Sequence, residues 1–167
     1  MRLSDSETAV ARTSDRELVV TRTVRGPVRL VYEAWARPEL FRRWWVPEGC
    51  GLSILSYDAD VRTGGSYRLE MAHVSSDRPM AFFGKYIEVV PNARIAWTNE
   101  EGDDEGPVTT VTFEERGAET LVTVHELYPS KEALDAAIES GSTSGWDQQL
   151  RQLEALVADL DNQAKNG

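Results

Sequence analysis

The residues of this chain best suited to acid–base chemistry are His73, His125 and Glu88, each within a predicted strand. One positioned acid or base accelerates a reaction by about 10²–10⁴-fold, so any of the three could carry a proton-transfer step. None of them lies in a nucleophile or zinc motif such as GxSxG or HExxH. A histidine on a strand face usually only hydrogen-bonds a neighbour. We therefore keep the three as candidates and predict no confident catalytic residue, no metal and no cofactor.

Two further features that could carry chemistry are a lone cysteine and a dense acidic run. Cys50 has no base nearby in the sequence, which predicts an inert thiol. A single cysteine also excludes an internal disulfide and a cysteine-based zinc site. The acidic residues at 100–105 do not match the spaced oxygen ligands of a calcium loop, so we predict a solvated hairpin loop there.

The aromatic side chains indicate a different function, the binding of an apolar molecule. Five tryptophans come from elements expected to face the interior of the fold: Trp35, Trp44, Trp45, Trp97 and Trp146. Such side chains could simply fill the core. They could also line a concave, mostly apolar site with a few polar groups, which is how proteins usually hold small molecules. The residues alone leave both interpretations open.

Composition and charge exclude several classes of partner. The 167 residues are 41% hydrophobic and 28% charged, as in an ordinary globular protein, and 18 basic against 28 acidic residues give a net charge of −10. An acidic chain lacks the basic face that binds nucleic acid or an anionic membrane. We see no signal peptide and no apolar run long enough to span a membrane, which predicts a cytoplasmic protein.

The elements that must position these side chains begin with a β-branched strand at Glu17–Val24. Gly26 and Pro27 end that strand and open the first of two short helices, which Pro38 separates. Six further strands are predicted between turn residues, at 52–61, 66–73, 81–90, 94–99, 108–114 and 120–128. Short loops between neighbouring strands indicate an antiparallel meander.

The C-terminal part of the chain is predicted to be helical. Apolar residues recur there at the spacing of one helix face: Trp146, Leu150, Leu153, Val157 and Leu160. The sheet is the only partner large enough to cover that face. The element order therefore predicts an α+β fold with helices on one face of an antiparallel sheet. We expect a flexible lead-in at 1–15, a single domain at 16–162 and a tail at 163–167.

Short motifs spread over residues 17–160 add a family resemblance. They are the closing helix and Arg22–Val24, Pro27, Val31–Trp35, Pro38–Glu39, Arg43–Pro47, Gly64–Tyr67, Gly84–Pro91, Arg94–Thr98 and Tyr128–Glu132. Their order and spacing resemble the START-like superfamily called SRPBCC, and within it the branch related to the C-terminal domain of the heat-shock-protein-90 ATPase activator. The resemblance implies a helix-grip fold, in which a curved antiparallel sheet of six to seven strands wraps around a long C-terminal helix, with two short helices after the first strand.

The resemblance also implies a cavity between the sheet and the C-terminal helix. Members of the superfamily bind hydrophobic small molecules, cyclise or aromatise polyketides, or sequester toxic natural products. We predict the lining from aromatic and apolar positions: Phe41, Trp44, Trp45, Tyr67, Leu69, Met71, Trp97, Val111, Phe113, His125, Trp146, Leu150 and Leu153. His125 or Lys85 could supply a polar contact, and strand alternation does not decide whether Lys85 or Glu88 faces inward.

Three functions are compatible with the sequence. The first is a carrier, sensor or sequestering protein for a hydrophobic or aromatic molecule. The second is a cyclase- or aromatase-like enzyme that uses one of the acid–base candidates. The third is a protein-interaction module. The co-chaperone member of the branch has an additional domain for which this chain has no room, so chaperone binding is not expected. A monomer and a homodimer both fit the sequence.

Overall fold

The described part of the chain forms one eight-stranded antiparallel sheet with four helices. The computed structural model describes residues 8–49, 51–100, 106–141, 143 and 145–166, so the predictions for Cys50 and for residues 101–105 lie outside it. The strands are β1 (Ala9–Arg12), β2 (Glu17–Arg25), β3 (Leu52–Ala59), β4 (Ser66–His73), β5 (Met80–Val90), β6 (Arg94–Thr98), β7 (Val108–Arg116) and β8 (Glu119–Leu127). The helices are α1 (Val28–Ala36), α2 (Pro38–Phe41), α3 (Lys131–Ser140) and α4 (Trp146–Asn166).

The sheet is a meander that closes back onto its beginning. Its strand order is β1-β2-β8-β7-β6-β5-β4-β3, so the last strand, β8, pairs with β2. Irregular pairing interrupts β3 between Ile54 and Ser56 and β5 between Tyr86 and Glu88. Such bulges bend a strand and increase its twist. The curved sheet that results holds α4 against β2 and α1 against β7 and β8.

The apolar stripe of α4 forms the centre of the core. Leu150, Leu153 and Val157 are fully buried there, and β2 contributes Val20 and Val24, which are also fully buried. Burying one such side chain stabilises the fold by about 1.5–3 kcal/mol. The helix–sheet contact predicted from the sequence is therefore the main apolar interface of the domain. None of the helices in the described ranges combines the length and apolar character needed to cross a membrane.

The predicted helix-grip architecture is confirmed, with a difference at the N-terminus. The expectation of six to seven strands is too low, because residues 9–12 form the edge strand β1 within the stretch expected to be a flexible lead-in. Ala9 pairs with Thr21 and Arg12 with Leu18 of β2. All four residues of β1 are exposed, so the strand depends on backbone pairing, and hydrophobic periodicity could not reveal it. At the other end, α4 continues to residue 166.

Lys85 and Glu88 both face away from the inner side of the sheet. The bulge in β5 lies between them and breaks the alternation of the strand. Tyr86 is buried on the inner face and pairs with Trp97, whereas Glu88 pairs with Ala96 after the register shift. Lys85 is exposed on the outer face, and Glu88 forms a 3.0 Å ion pair with Arg94. Simple alternation fails here because the bulge places an extra residue in the strand.

Candidate ligand-binding cavity

A cavity of about 230 Å³ lies between the end of α1, α2 and the turn after α2 on one side and the inner face of β3–β6 on the other. Its wall consists of Trp35, Phe41, Trp45, Tyr57, Tyr67, Leu69, Met71, Phe82, Tyr86, Ile95, Trp97 and Asn99. The volume is below the roughly 300–1,000 Å³ of pockets that hold drug-sized ligands. A compact ligand therefore fits it best.

The composition of the wall is aromatic and uncharged. Among the described residues that line the cavity, none carries a charged side chain, and Asn99 is the one residue that is neither apolar nor aromatic. The other polar side-chain atoms of the wall belong to the phenols of three tyrosines and the indoles of three tryptophans. A charged ligand would lose its hydration in this site without gaining a partner.

Stacked rings form the side of the cavity opposite the sheet. Phe41 stacks on Trp45 with ring centroids 4.7 Å apart, and on Tyr57 of β3 with centroids 4.8 Å apart. Trp35 contributes a further ring, 6.2 Å from Trp45 and 6.1 Å from Trp97. Aromatic pairs of this kind add about 0.5–1.5 kcal/mol each beyond the area that they bury. The rings therefore hold one another in fixed positions.

Glutamines of α4 fix the turn that carries Trp45. The Nε2 group of Gln149 donates to the carbonyl of Trp45 over 2.6 Å, and that of Gln152 donates to the carbonyls of Trp44 and Val46 over 2.9 and 2.8 Å. Residues after α2 form turns without a regular helix, so their carbonyls need side-chain donors. Helix α4 thus fixes the turn that carries Trp45, although no described residue of α4 lines the cavity.

Two polar side chains of the wall are committed to the protein. The hydroxyl of Tyr67 donates to the carbonyl of Thr98 over 2.7 Å. The amide nitrogen of Asn99 donates to the carbonyl of Pro107 over 2.7 Å and to Oγ1 of Thr109 over 3.1 Å. These bonds fasten the open end of β6 to its neighbours and fix both side chains.

The phenols of Tyr57 and Tyr86 form a separate pair in the same wall. Their oxygens are 3.4 Å apart, and either can be the donor. Burial raises the pKa of Tyr57 to about 12, and burial together with the neighbouring Tyr57 raises that of Tyr86 still further above its usual value. Both groups are therefore protonated and neutral at physiological pH.

Trp35 adds a buried donor. Its side chain lines the cavity, and its indole N–H is buried with no hydrogen-bond partner in the part of the chain that the structure describes. A buried donor without an acceptor costs about 1–3 kcal/mol. Because this nitrogen has almost no accessible surface, it faces the protein interior, and the carbon atoms of the ring line the cavity.

A buried carboxyl group stands behind the cavity wall. Oε1 of Glu126 accepts from the Tyr128 hydroxyl over 3.2 Å, and Oε2 accepts from Oγ1 of Thr109 over 3.4 Å. Thr109 in turn accepts from Asn99 of the wall. Burial raises the pKa of Glu126, although hydrogen bonds from Tyr128, Thr109 and Trp146 oppose the shift.

The structure brings together about half of the residues that we predicted for the cavity. Six of them line it: Phe41, Trp45, Tyr67, Leu69, Met71 and Trp97. They come from the segment after α1 and from β4 and β6. The period-two pattern of β4 predicts the inward face of that strand correctly, because β4 is regular along this stretch.

The other apolar residues predicted for the cavity belong to the closed core. They are Trp44, Val111, Phe113, Trp146, Leu150 and Leu153, all buried and none in the cavity wall. The prediction assumed that α4 covers the cavity as a lid. Instead α4 packs directly on β2 and α1, so the cavity lies to one side of the helix.

The acid–base candidates lie away from the cavity, which corrects the expectation for His125. His125 is on the outer face of β8, where its Nε2 is 2.9 Å from Oε1 of Glu17. His73 ends β4, and its Nδ1 bonds Ser75. Glu88 pairs with Arg94 on the outer face. None of the three candidates reaches the wall that the described residues form.

Sequence reasoning left six wall residues out of its predicted site. They are Trp35, Tyr57, Phe82, Tyr86, Ile95 and Asn99. Strand alternation could have found Ile95, which shares parity with the predicted Trp97. The bulge in β3 hides Tyr57, because it shifts the alternation just before that residue.

Comparisons with solved structures support the fold. A protein from Rhodobacter sphaeroides superposes with a TM-score of 0.82 at 19% identity, covering 92% of this chain and 99% of that one. A protein from Chromobacterium violaceum gives 0.69 at 30% identity, covering 84% and 96%. CalU16 from Micromonospora echinospora gives 0.61 at 19% identity, covering 90% and 85%.

Comparison with family models and curated sequences gives a family without an activity. No curated protein is significantly similar to this chain. The family model described as activator of Hsp90 ATPase homolog 1-like protein matches residues 25–158, which spans α1, the sheet from β3 onward and most of α4. The resemblance found in the sequence is thereby confirmed. This chain belongs to the activator of Hsp90 ATPase homolog 1-like family, on the SRPBCC fold.

Proposed function

We propose that this protein binds a compact hydrophobic or aromatic molecule in the cavity between the α1–α2 region and β3–β6, as a carrier, sensor or sequestering protein. The observation that carries the proposal is the wall itself, which is built of interlocked rings and surrounds about 230 Å³ of space. Interiors are normally packed to the density of organic crystals. A space left open among aromatic side chains, with few polar groups, has the character of a small-molecule site, and its volume favours a compact ligand.

A cyclase- or aromatase-like activity has less support in the geometry. The histidines lie away from the cavity, and the phenols of Tyr57 and Tyr86 have raised pKa values. Acid–base catalysis is most effective when the pKa of the group is near the working pH. The described residues of the wall supply no such group, so binding is the better-supported function.

Thermal unfolding with a panel of two- and three-ring aromatics, polyketide-like phenols and small steroids tests the proposal. A ligand at a hundred times its Kd adds about 2.7 kcal/mol to the free energy of unfolding. For a domain of this size the Tm then rises by roughly 5–10 °C. We expect at least one member of the aromatic set to produce such a shift.

Adjacent residues of β5 provide a matched pair of variants. Phe82 lines the cavity, whereas Phe83 lies on the outer face of the same strand, with the guanidinium of Arg68 over its ring. Phe82→Trp should fill the cavity and abolish the ligand-induced shift, and Phe83→Trp should leave it intact. Equal shifts in both variants would place the ligand elsewhere, and no shift with any aromatic ligand would overturn the proposal.

A further inference from the structure

On the basis of the proposed function, we propose that the cavity selects neutral aromatic ligands that carry an oxygen acceptor, such as an aryl ketone or quinone carbonyl. The acceptor is held by the paired hydroxyls of Tyr57 and Tyr86.

The phenol pair of Tyr57 and Tyr86 holds one hydroxyl proton that it does not use in its own hydrogen bond. Tyr57 and Tyr86 carry two hydroxyl protons, and only one proton can lie between their two oxygens. Among the described residues, neither hydroxyl has another hydrogen-bond partner. The second proton is therefore available to an acceptor from outside the protein. Both residues line the cavity, so a bound ligand can provide that acceptor.

The hydrogen bond between the Tyr57 and Tyr86 hydroxyls is long. An O–H···O hydrogen bond normally has an oxygen–oxygen distance of 2.5–3.0 Å, and the phenols are 3.4 Å apart. The bond between them is thus long and weak, and a ligand that inserts an acceptor oxygen loses little by replacing it. Since both phenols are neutral and protonated, they act toward such a ligand as donors.

The hydroxyl of Tyr67, the third phenol of the wall, is already engaged within the protein. The Tyr67 hydroxyl donates to the carbonyl of Thr98 over 2.7 Å, so its proton is already used. The unused proton of the Tyr57–Tyr86 pair is therefore the donor that the wall offers, which favours a ligand with an acceptor over a plain hydrocarbon.

The uncharged wall disfavours an ionised ligand. The described wall contains no cationic side chain that could pair with a carboxylate and no anionic one that could pair with an amine. Removing an unpaired ion from water costs several kcal/mol even after relaxation. The cavity should therefore reject an ionised form of the same aromatic skeleton.

Two tricyclic probes of nearly equal shape separate the hydrogen bond from general hydrophobic binding. 9-Fluorenone has a carbonyl where fluorene has a methylene group. Quenching of intrinsic tryptophan fluorescence reports both affinities, since Trp35, Trp45 and Trp97 line the cavity. The quantity compared is the affinity ratio, fluorenone over fluorene, in the wild type and in two variants, Tyr57→Phe/Tyr86→Phe and Tyr67→Phe.

We expect the affinity ratio to fall about 3- to 10-fold in Tyr57→Phe/Tyr86→Phe, the range for loss of one ordinary hydrogen bond. Fluorene affinity should change less than twofold, because a phenyl ring keeps the shape of the wall. Tyr67→Phe should leave the ratio unchanged, since its proton goes to Thr98. Circular dichroism spectra of the three proteins show whether each variant is folded.

Several results would overturn the inference while leaving the proposed function standing. One is that both probes bind, with the same affinity ratio in the wild type and the double variant. Another is a fall in the ratio of equal size in Tyr67→Phe. If neither probe binds, this ligand class is wrong, and the thermal-shift panel then decides separately whether the cavity binds any aromatic molecule.

A charged probe tests the neutrality of the ligand. At pH 7, 9-fluorenone-2-carboxylate should bind at least about 30-fold more weakly than fluorenone, because no described residue of the wall pairs with its charge. Equal affinity of the two compounds would show that the cavity accepts anions and would contradict this part of the inference.

Discussion

Arg22 and Glu154 join the sheet to the C-terminal helix through an ion pair in the interior, with Nη2 of Arg22 2.7 Å from Oε1 of Glu154. Arg22 is 4% exposed and lies on β2 between the fully buried Val20 and Val24. Its Nη1 donates to Oγ1 of Thr8, while its Nε is buried without a partner among the described residues. Oδ1 of Asp147 lies 3.9 Å from Nη1, so Glu154 is the nearer of two carboxylates that balance the Arg22 charge.

Removing one partner of this pair should destabilise the domain strongly. Glu154→Ala leaves the Arg22 charge buried, and we expect a loss of about 3 kcal/mol in the free energy of unfolding. Replacing both partners, as in Arg22→Met/Glu154→Leu, should recover most of that loss. Urea unfolding measures all three proteins. Glu114→Ala, which removes an exposed pair with Arg116, should cost less than about 1 kcal/mol. A similar cost at both sites would contradict the role of burial.

The carboxyl group of Glu126 should make stability depend on pH. Burial raises the pKa of Glu126, so the folded chain holds this proton more tightly than the unfolded chain. Its contribution is fully present below the unfolded pKa and is lost as pH rises through the folded pKa. Glu126→Gln should therefore raise the Tm by a few degrees at pH 8 and change it little at pH 4.

Glu17 is the matched control, because its pKa shifts the other way. The hydrogen bond with His125 is the largest cause that lowers the pKa of Glu17. Its contribution is present above the unfolded pKa and lost as pH falls through the folded pKa. Glu17→Gln should thus lower the Tm at pH 8 or leave it unchanged. If both glutamine variants stabilise the protein at pH 8, general relief of the net negative charge explains the effect.

The histidines should be dispensable for ligand binding. His125 lies on the outer face of β8 and His73 at the end of β4. His73→Gln and His125→Gln should therefore each change the Kd of any cavity ligand less than twofold in a fluorescence titration. A loss of tenfold or more in either variant would return that histidine to the site and revive the enzymatic alternative.

Gly84 should be intolerant of a side chain. A Cβ at this position would collide with the carbonyl oxygen of Thr98, the acceptor of the Tyr67 hydroxyl. Gly84→Ala must therefore push β5 away from β6 or displace Tyr67 from the cavity wall, and we expect a loss of roughly 2–4 kcal/mol. Gly145→Ala, where a Cβ meets ordinary contact distances, should be nearly neutral. Thermal unfolding of the two variants makes the comparison.

The architecture was predictable because strong periodic signals specify it. The stripe Leu150, Leu153 and Val157 predicted the helix, and regular alternation in β4 predicted Leu69 and Met71 of the cavity wall. What the sequence did not reveal depends on non-periodic features. Bulges in β3 and β5 change which side chains face inward, and no local pattern records a bulge. The lateral position of α4 over the sheet is also a long-range packing result.

The displacement of the cavity from α4 has an evolutionary consequence. The helix, β2 and α1 secure the fold, whereas the rings that surround the empty space come mostly from β3–β6 and the turn before β3. Of the described wall residues, Leu69, Met71, Phe82 and Asn99 lie outside the buried core cluster that includes α4. Substitutions that reshape the space at the lowest cost to the fold therefore fall at these four positions. Related chains can vary at these positions in small steps while each intermediate still folds.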